Sequence, residues 1–170
     1  MKPAITSATE ILTSNGIVRD QPDRKVVLDL PADFDRSAHP AVDAYLAAGE
    51  DAGVDQTYLC THRRPWYRIA PMAAAPIVGS YMARQAPGFA LNPDGLLLAN
   101  IGHGIYPRHD MTDEELKALA AALNANRPSY IGAGRTYQGG LEKFEPREME
   151  ALPIPLPWIL IPAGSAGEAP

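Results

Sequence analysis

The residues best suited to chemistry lie in one stretch near the carboxyl end of the sequence, 129–155. Its glycines, which allow a tight backbone path and a close approach to a ligand, are Gly132, Gly134, Gly139 and Gly140. Its cations and flat aromatic faces are Arg135, Tyr137, Lys143, Phe144 and Arg147. Cations hold anions, and aromatic faces stack on bases. We therefore predict a loop that binds an anion or a base.

A second concentration of such groups lies at 61–68, which contains three arginines, a histidine and two aromatic residues. Arginine neutralises phosphate and an aromatic ring stacks or wedges, so this mixture is typical of a nucleic-acid contact. The candidates here are Arg63, Arg64 and Trp66. The alternative is a solvated turn before a strand, with Trp66 and Tyr67 in the core.

Two helices are predicted to support these residues. Pro40 suits the first position of a helix, so 41–52 is predicted to be helical. The strongest helix signal is 111–126, where Thr112 and Glu115 form a capping box and the apolar residues share one face. Both helices are expected to pack on a sheet.

The strands are predicted from short apolar runs. The runs 25–30 and 96–101 are rich in β-branched or aliphatic residues, and 66–80 is predicted to be extended but interrupted by two prolines. Because 96–101 follows a turn at 92–95, it is expected to be an antiparallel neighbour of 66–80. The sequence therefore predicts a single α+β domain, with a small antiparallel or mixed sheet and two main helices.

The Gly-rich stretch is predicted to end rigidly. Pro146 suits the first position of a short helical turn. The run 152–157, Leu-Pro-Ile-Pro-Leu-Pro, can only be extended or polyproline-like, because each proline restricts the residue before it. Residues 161–170 are mostly small and are expected to form a disordered tail.

The net charge of −5 is unevenly divided along the chain. Residues 1–55 hold five Lys and Arg against ten Asp and Glu, 56–147 hold ten against seven, and 148–170 hold none against three. The middle is therefore basic between acidic flanks. This distribution gives weak support to a surface that faces phosphate, since electrostatic affinity depends on local clustering.

Other kinds of site are disfavoured by the composition. Cys60 is the only cysteine, which excludes an internal disulfide, and the four histidines are scattered, so no metal is predicted. No apolar run approaches the roughly 20 residues of a membrane span, and we expect no membrane partner and a cytoplasmic location. A small-molecule hydrolase that uses a histidine and Cys60 is the weakest alternative, because no motif supports it.

The Gly-rich stretch, closing on Leu-Pro-Ile-Pro, resembles the end of the target-recognition domain of Taq-type adenine-specific DNA methyltransferases, the gamma class of restriction–modification systems. The resemblance continues, in order and spacing, through the segments 5–12, 39–50, 64–67, 81–84 and 89–92. It covers nearly the whole chain up to Pro155. We therefore interpret 1–160 as a DNA target-recognition domain.

This resemblance implies that catalysis and DNA recognition belong to different domains. In that family the catalytic domain flips and methylates an adenine, while the recognition domain grips the duplex and contacts base edges. The implied partners are double-stranded DNA and a methyltransferase catalytic domain or subunit. Taken together, the composition of 61–68 and the resemblance predict DNA contacts at Arg63, Arg64, Trp66, Arg135, Tyr137, Gly139, Gly140, Lys143 and Arg147.

A catalytic site within this chain is not expected. A methyltransferase cofactor pocket usually needs a Gly-rich turn in a doubly wound sheet, but Tyr137 stands where a dinucleotide fingerprint has its third glycine. Asn92-Pro93 is followed by Asp-Gly, a turn composition, instead of completing an Asn-Pro-Pro-Tyr motif. S-adenosylmethionine would therefore belong to a catalytic domain outside this chain. The strongest alternative function is a structural or protein-interaction remnant that docks to a separate methyltransferase or nuclease subunit.

Overall fold

Residues 1–69 and 73–154 are described by the computed structural model of this chain, and they combine short helices with short strands. The helices are α1 (Ala8–Thr13), α2 (Pro40–Asp51), α3 (Tyr58–Thr61), α4 (Asp113–Ala125) and α5 (Pro146–Glu150). The strands are β1 (Lys2–Ile5), β2 (Val26–Val27), β3 (Ile77–Ser80), β4 (Met82–Ala83), β5 (Phe89–Leu91), β6 (Leu97–Leu98), β7 (Gly102–Ile105), β8 (Arg135–Tyr137) and β9 (Leu141–Lys143). The predicted α+β class, with α2 and α4 as the two main helices, is confirmed. The predicted tail at 161–170 and the end of the proline-rich run lie outside the described residues.

The chain divides into two compact units, each described by itself. Among the described residues, the first unit contains 1–2 and 26–69. Its main element is α2, which begins at Pro40 as predicted and buries Leu46. After α2 the backbone turns at Gly53, whose φ of +72° suits glycine, and continues into α3 through a short 3₁₀ turn.

The second unit, 3–25 with 73–154, is centred on the antiparallel sheet of β5, β3 and β7, in which β3 is the middle strand. Successive strand residues face opposite sides, so β3 contributes to two separate cores. Ile77 packs in a cluster with Phe89 on one side of the sheet, and Val78 packs in a second cluster with Ile5 on the other. Both faces of this small sheet are therefore buried.

The helix α4 covers one of these faces. It begins at the predicted capping box, in which the Thr112 hydroxyl accepts from the Glu115 amide and the Glu115 carboxylate accepts from the Thr112 amide. Its buried residues Ala120 and Leu123 belong to the same cluster as Phe89. The predicted core helix is therefore confirmed, and its apolar stripe has the packing role expected for it.

The predicted strands are shortened or re-paired. The predicted strand at 25–30 is reduced to β2, and only β3 remains of 66–80 among the described residues. The run at 96–101 is reduced to β6, which pairs in parallel with β1, Ala4 opposite Leu97, so the predicted antiparallel pairing with β3 is wrong. The predicted turn at 92–95 is present, with the Gly95 amide donating to the Asn92 carbonyl. Strand partners are chosen by long-range packing, which a local apolar pattern does not encode.

Candidate functional site

The Gly-rich stretch folds as a β-hairpin instead of the predicted loop. β8 and β9 are antiparallel neighbours with Arg135 directly opposite Lys143, and the residues 138–140 form the turn between them. The two glycines of that turn have φ values of +80° and +72°, which other residues rarely adopt. β9 also pairs with β4, so the hairpin is part of a three-stranded sheet. The loop prediction was wrong because this sheet depends on β4, a strand distant in the sequence.

The base of the hairpin is anchored by a buried carboxylate. Glu142 is only 8% exposed and accepts hydrogen bonds from the Gly132 amide at 3.0 Å and the Gly134 amide at 3.4 Å. A Cβ on Gly134 would lie 3.0 Å from the Lys143 carbonyl oxygen and 3.1 Å from the ring of Phe144, so the chains approach closely there. Phe144, which follows β9, is completely buried in the core. Hydrogen bonds and close packing therefore fix the residues at the base of the hairpin.

One face of the hairpin presents cations and an aromatic ring. Residues directly opposite each other in an antiparallel pair point to the same face, and the face repeats every second residue. Arg135 and Lys143 therefore share a face with Tyr137 and its partner Leu141. The side chain of Arg135 is 62% exposed and Tyr137 is 49% exposed. The structure thus brings three of the predicted binding residues together.

Both cations on this face have carboxylate partners. Arg135 donates from Nε to Oε1 of Glu148 at 2.8 Å, and the Lys143 ammonium lies 2.6 Å from Oε1 of Glu145. These hydrogen bonds raise the pKa of Arg135 and of Lys143 and lower the pKa of Glu148. The ammonium of Lys143 also lies 5.6 Å from the centre of the Tyr81 ring. Both cations are therefore held in place while each keeps part of its side chain accessible.

Arg84 is a neighbour of the hairpin that the sequence-based candidates omit. Its Nη1 donates to the carbonyl of Gly139 at 3.1 Å, so it holds the turn from the side of β4. A separation of 55 residues in the sequence hides this contact. Arg147, on α5, is exposed and has no ion-pair partner among residues 1–69 and 73–154.

The other three candidates belong to the first unit. There, Trp66 donates from its indole Nε1 to Oε1 of Glu50 at 2.9 Å. Its ring would lie 3.2 Å from a Cβ placed on Gly49, so it packs closely against α2. Glu50 also accepts from Arg36 at 2.7 Å, and Arg36 bonds Asp43 at 2.6 Å. The indole is therefore part of a polar network that fixes the end of α2, and its predicted contact with DNA stays a prediction.

The two arginines that precede Pro65 and Trp66 differ in their side-chain hydrogen bonds. The guanidinium of Arg64 donates to the carbonyls of Thr61 at 2.9 Å and Arg63 at 2.7 Å, so its side chain folds back on its own backbone. Arg63 is partly exposed. The structure does not bring these two arginines into the same unit as the hairpin.

The exposed side chains of the hairpin are of types that bind anions and flat rings. Guanidinium and ammonium groups hold anions, and the Tyr137 ring offers a stacking surface. In the described part of the chain, no three His, Cys, Asp or Glu residues are grouped as metal ligands would be. Among those same residues, no helix is both long enough and apolar enough to cross a membrane.

Comparison with known proteins finds relatives that match most of this chain. The family described as Type II methyltransferase M.Eco57I, C-terminal domain, matches residues 13–163. The chain is 38% identical over 156 residues to Type II methyltransferase M.XamI of Xanthomonas campestris pv. amaranthicola, a match to 90% of this chain and 29% of that relative. It is 26% identical over 155 residues to Type II methyltransferase M.AccI of Acinetobacter calcoaceticus, a match to 86% of this chain and 28% of the relative. The chain thus spans less than a third of either relative, and no solved structure gives a significant match.

Proposed function

Because the chain belongs to the family of the Type II methyltransferase M.Eco57I C-terminal domain, we propose that it is a sequence-specific recognition module for double-stranded DNA. It serves a gamma-class, adenine-specific methyltransferase of a restriction–modification system and acts in the cytoplasm. Family membership supports the methyltransferase context. The adenine specificity and the gamma class rest on the resemblance of the Gly-rich stretch to Taq-type recognition domains.

The observation that carries the DNA contact is the exposed face of the β8–β9 hairpin. Arg135, Tyr137 and Lys143 share that face, and Arg147 lies close in sequence on α5. Arginine can lie bidentate on phosphate or on guanine, lysine pairs with phosphate, and tyrosine stacks. Beyond its pairing with β4, the tip of the hairpin has only two strands, and a two-stranded ribbon is one of the two elements that the major groove admits. The chain is acidic as a whole, so we propose that its affinity for DNA is modest and strongly salt-dependent.

The test is duplex binding across a salt series, measured by fluorescence anisotropy with a labelled duplex. Arg135→Gln combined with Lys143→Gln should weaken binding and reduce the salt slope by about one to two, since each cation that contacts a phosphate contributes about one. Lys25→Gln combined with Lys117→Gln removes two exposed cations elsewhere in the same unit and is the matched control. Equal loss in both double variants, or an affinity that stays flat as salt rises, would reject the hairpin as the DNA contact.

We also propose that methyl transfer requires a catalytic domain or subunit beyond this chain. The chain spans less than a third of the length of the methyltransferases it resembles. The sequence around Gly132 and Asn92 lacks the cofactor fingerprint and the catalytic motif. Calorimetry with S-adenosylmethionine should therefore show no saturable binding. A dissociation constant in the micromolar range, on the order of 8 kcal/mol, would contradict this proposal.

The first unit favours a second function, docking to the catalytic domain. It exposes large apolar side chains on α2, on α3 and on the 3₁₀ turn that contacts both: Tyr45, Val54, Tyr58 and Leu59. These elements contact one another, and a contiguous exposed apolar patch marks a protein interface. Tyr58→Ser with Leu59→Ser should reduce co-purification with a methyltransferase catalytic domain and leave duplex binding by the chain alone unchanged. Leu12→Ser, an exposed leucine of the second unit, is the control.

A further inference from the structure

The tip of the β8–β9 hairpin, residues 138–140, lies beyond the part of β9 that pairs with β4. Gln138 is the first of the three turn residues, and Gly139 and Gly140 follow it. A Cβ placed on either glycine would meet no atom within 4 Å, so open space surrounds the tip. Gln138 is exposed, and its side chain forms no hydrogen bond with residues 1–69 or 73–154. The most prominent side chain at the tip is therefore a free amide.

The backbone beneath this amide is held on two sides. Arg84 binds the carbonyl of Gly139 at 3.1 Å. At the other end of the hairpin, Glu142 binds the amides of Gly132 and Gly134. The turn is therefore anchored through its backbone, while the side chain of Gln138 stays available. A binding residue presented in this way loses less conformational entropy when it makes a contact.

The dimensions of the hairpin match those of the major groove. Neighbouring strands lie roughly 4.8 Å apart, so a two-stranded ribbon with its side chains fits a groove that is about 12 Å wide. β4 pairs with Glu142 and Lys143, so one residue of each hairpin strand and the three-residue turn extend beyond it. A rise of about 3.4 Å per residue gives a projection of roughly 7 Å before the Gln138 side chain is added. The groove is about 8.5 Å deep, so the Gln138 side chain can reach the base edges while Lys143, nearer the base of the hairpin, remains close to a phosphate.

The donor and the acceptor of the Gln138 side chain match one base edge better than they match a phosphate. A phosphate only accepts hydrogen bonds, so the carbonyl half of a glutamine side chain has no use there. The major-groove edge of adenine presents one donor, N6, and one acceptor, N7, and a glutamine amide satisfies both at once. We propose that Gln138 is a specificity-determining residue that reads an adenine edge in the major groove of the target duplex. This proposal rests on the proposed function and refines it, and it adds a residue to the predicted DNA contacts.

The experiment is selection of binding sites from a randomised duplex library at low salt, with the 170-residue chain. The variants are Gln138→Ala, Gln138→Arg and the control Gln21→Ala, which truncates another exposed glutamine of the same unit. The wild-type chain and Gln21→Ala should select the same site, with adenine fixed at one position. Gln138→Ala should lose that preference, which is roughly 5- to 150-fold for a bidentate contact, and bind unrelated duplex as before. Gln138→Arg should replace adenine by guanine at that position, because its fork of donors matches guanine O6 and N7.

The outcomes separate this inference from the function on which it rests. If the wild-type chain selects a site and Gln138→Ala selects the same site with equal preference, the inference fails and the recognition function stands. If the wild-type chain binds no duplex or shows no preference, both fail. The change from adenine to guanine in Gln138→Arg is a gain of preference that damage to the fold would not produce.

Discussion

Arg135 on β8 and Glu148 on α5 are joined by a charged hydrogen bond of 2.8 Å from Nε to Oε1. The arginine is on the surface, with 62% of its side chain exposed, whereas 21% of the Glu148 side chain is exposed. The carboxylate therefore occupies one edge of the guanidinium and leaves the other donors to the solvent side. A phosphate or a guanine edge that approaches the hairpin competes with this carboxylate for Arg135.

We predict from this pair that Glu148→Gln strengthens the binding of duplex DNA. The substitution removes a negative charge that would oppose the phosphates. Of the two hairpin cations, only Arg135 has its pKa raised by Glu148. The expected gain is a few-fold at low salt and smaller at high salt, because exposed charges are screened. Anisotropy measurements at two salt concentrations test it, with Glu114→Gln on the exposed face of α4 as the control. Binding that is unchanged or weaker would show that Glu148 instead orients Arg135 for its contact.

Arg135 and Lys143 are predicted to differ in what they read, although they lie opposite each other. Arg135→Ala should reduce the affinity for the selected site by about 5- to 150-fold and affect unrelated duplex much less, if the fork contacts a base. Lys143→Ala should weaken both duplexes alike and reduce the salt slope by about one. The measurement is the ratio of the two affinities across a salt series. An unchanged ratio for a folded Arg135→Ala variant would remove Arg135 from the residues that read sequence.

Glu142, which lies on the opposite face of the hairpin from these two cations, is predicted to be structural. Glu142→Ala removes the charged acceptor of the Gly132 and Gly134 amides, so it should destabilise the fold by about 2 kcal/mol. Urea unfolding measures this loss. Glu114→Ala, at an exposed carboxylate, should cost far less. A comparable cost for both variants would mean that the buried carboxylate does not anchor the hairpin.

Trp66 provides a test between packing and DNA contact. Trp66→Phe keeps a ring against Gly49 but removes the donor to Glu50, whereas Trp66→Ala removes both. The alanine variant should destabilise the fold by about 2 kcal/mol or more and the phenylalanine variant by less. If packing is the only role, the duplex affinity of folded Trp66→Phe stays at the wild-type value. A specific loss of DNA binding in that variant would establish the contact predicted from the sequence.

Glu10 gives a prediction of pH dependence. Burial raises the pKa of this carboxyl, but hydrogen bonds from Arg24 and from the amides of Thr6 and Ser7 outweigh burial and leave the pKa lowered. Because the pKa is lower in the folded state, the ionised carboxylate stabilises the fold above the unfolded value of 4.5, and this contribution disappears as the pH falls through the lowered pKa.

The corresponding variant is Glu10→Gln, which keeps an acceptor for the Thr6 and Ser7 amides at the start of α1. It loses the charge opposite Arg24, whose side chain is only 6% exposed. It should cost about 2 kcal/mol at neutral pH. Thermal unfolding of both proteins from about pH 7 to about pH 3 should show the difference shrinking as the pH falls. A difference that is constant with pH would mean that the ion pair contributes nothing.

The helices were predictable because their signals are local. Pro40 at the start of α2, the capping box of Thr112 and Glu115 at the start of α4, and Pro146 at the start of α5 each act within a few residues of the helix they begin. The hairpin places the candidates Arg135, Tyr137 and Lys143 on one face, and their contact with DNA stays a prediction. Local chemistry and spacing were enough to predict where these helices begin.

The sequence by itself therefore determined the α+β class, the main helices and the residues of the cationic stretch, because each depends on neighbours along the chain. The tertiary structure alone decided that this stretch is a hairpin and that β6 pairs in parallel with β1. It also decided that Arg84 binds the carbonyl of Gly139, 55 residues away in the sequence. The ion-pair partner of Arg135 is Glu148, although Glu142 and Glu145 are nearer to it in the sequence. These pairings depend on which distant segments pack together in the core. A local sequence pattern is compatible with many pairing partners, so it cannot specify one of them.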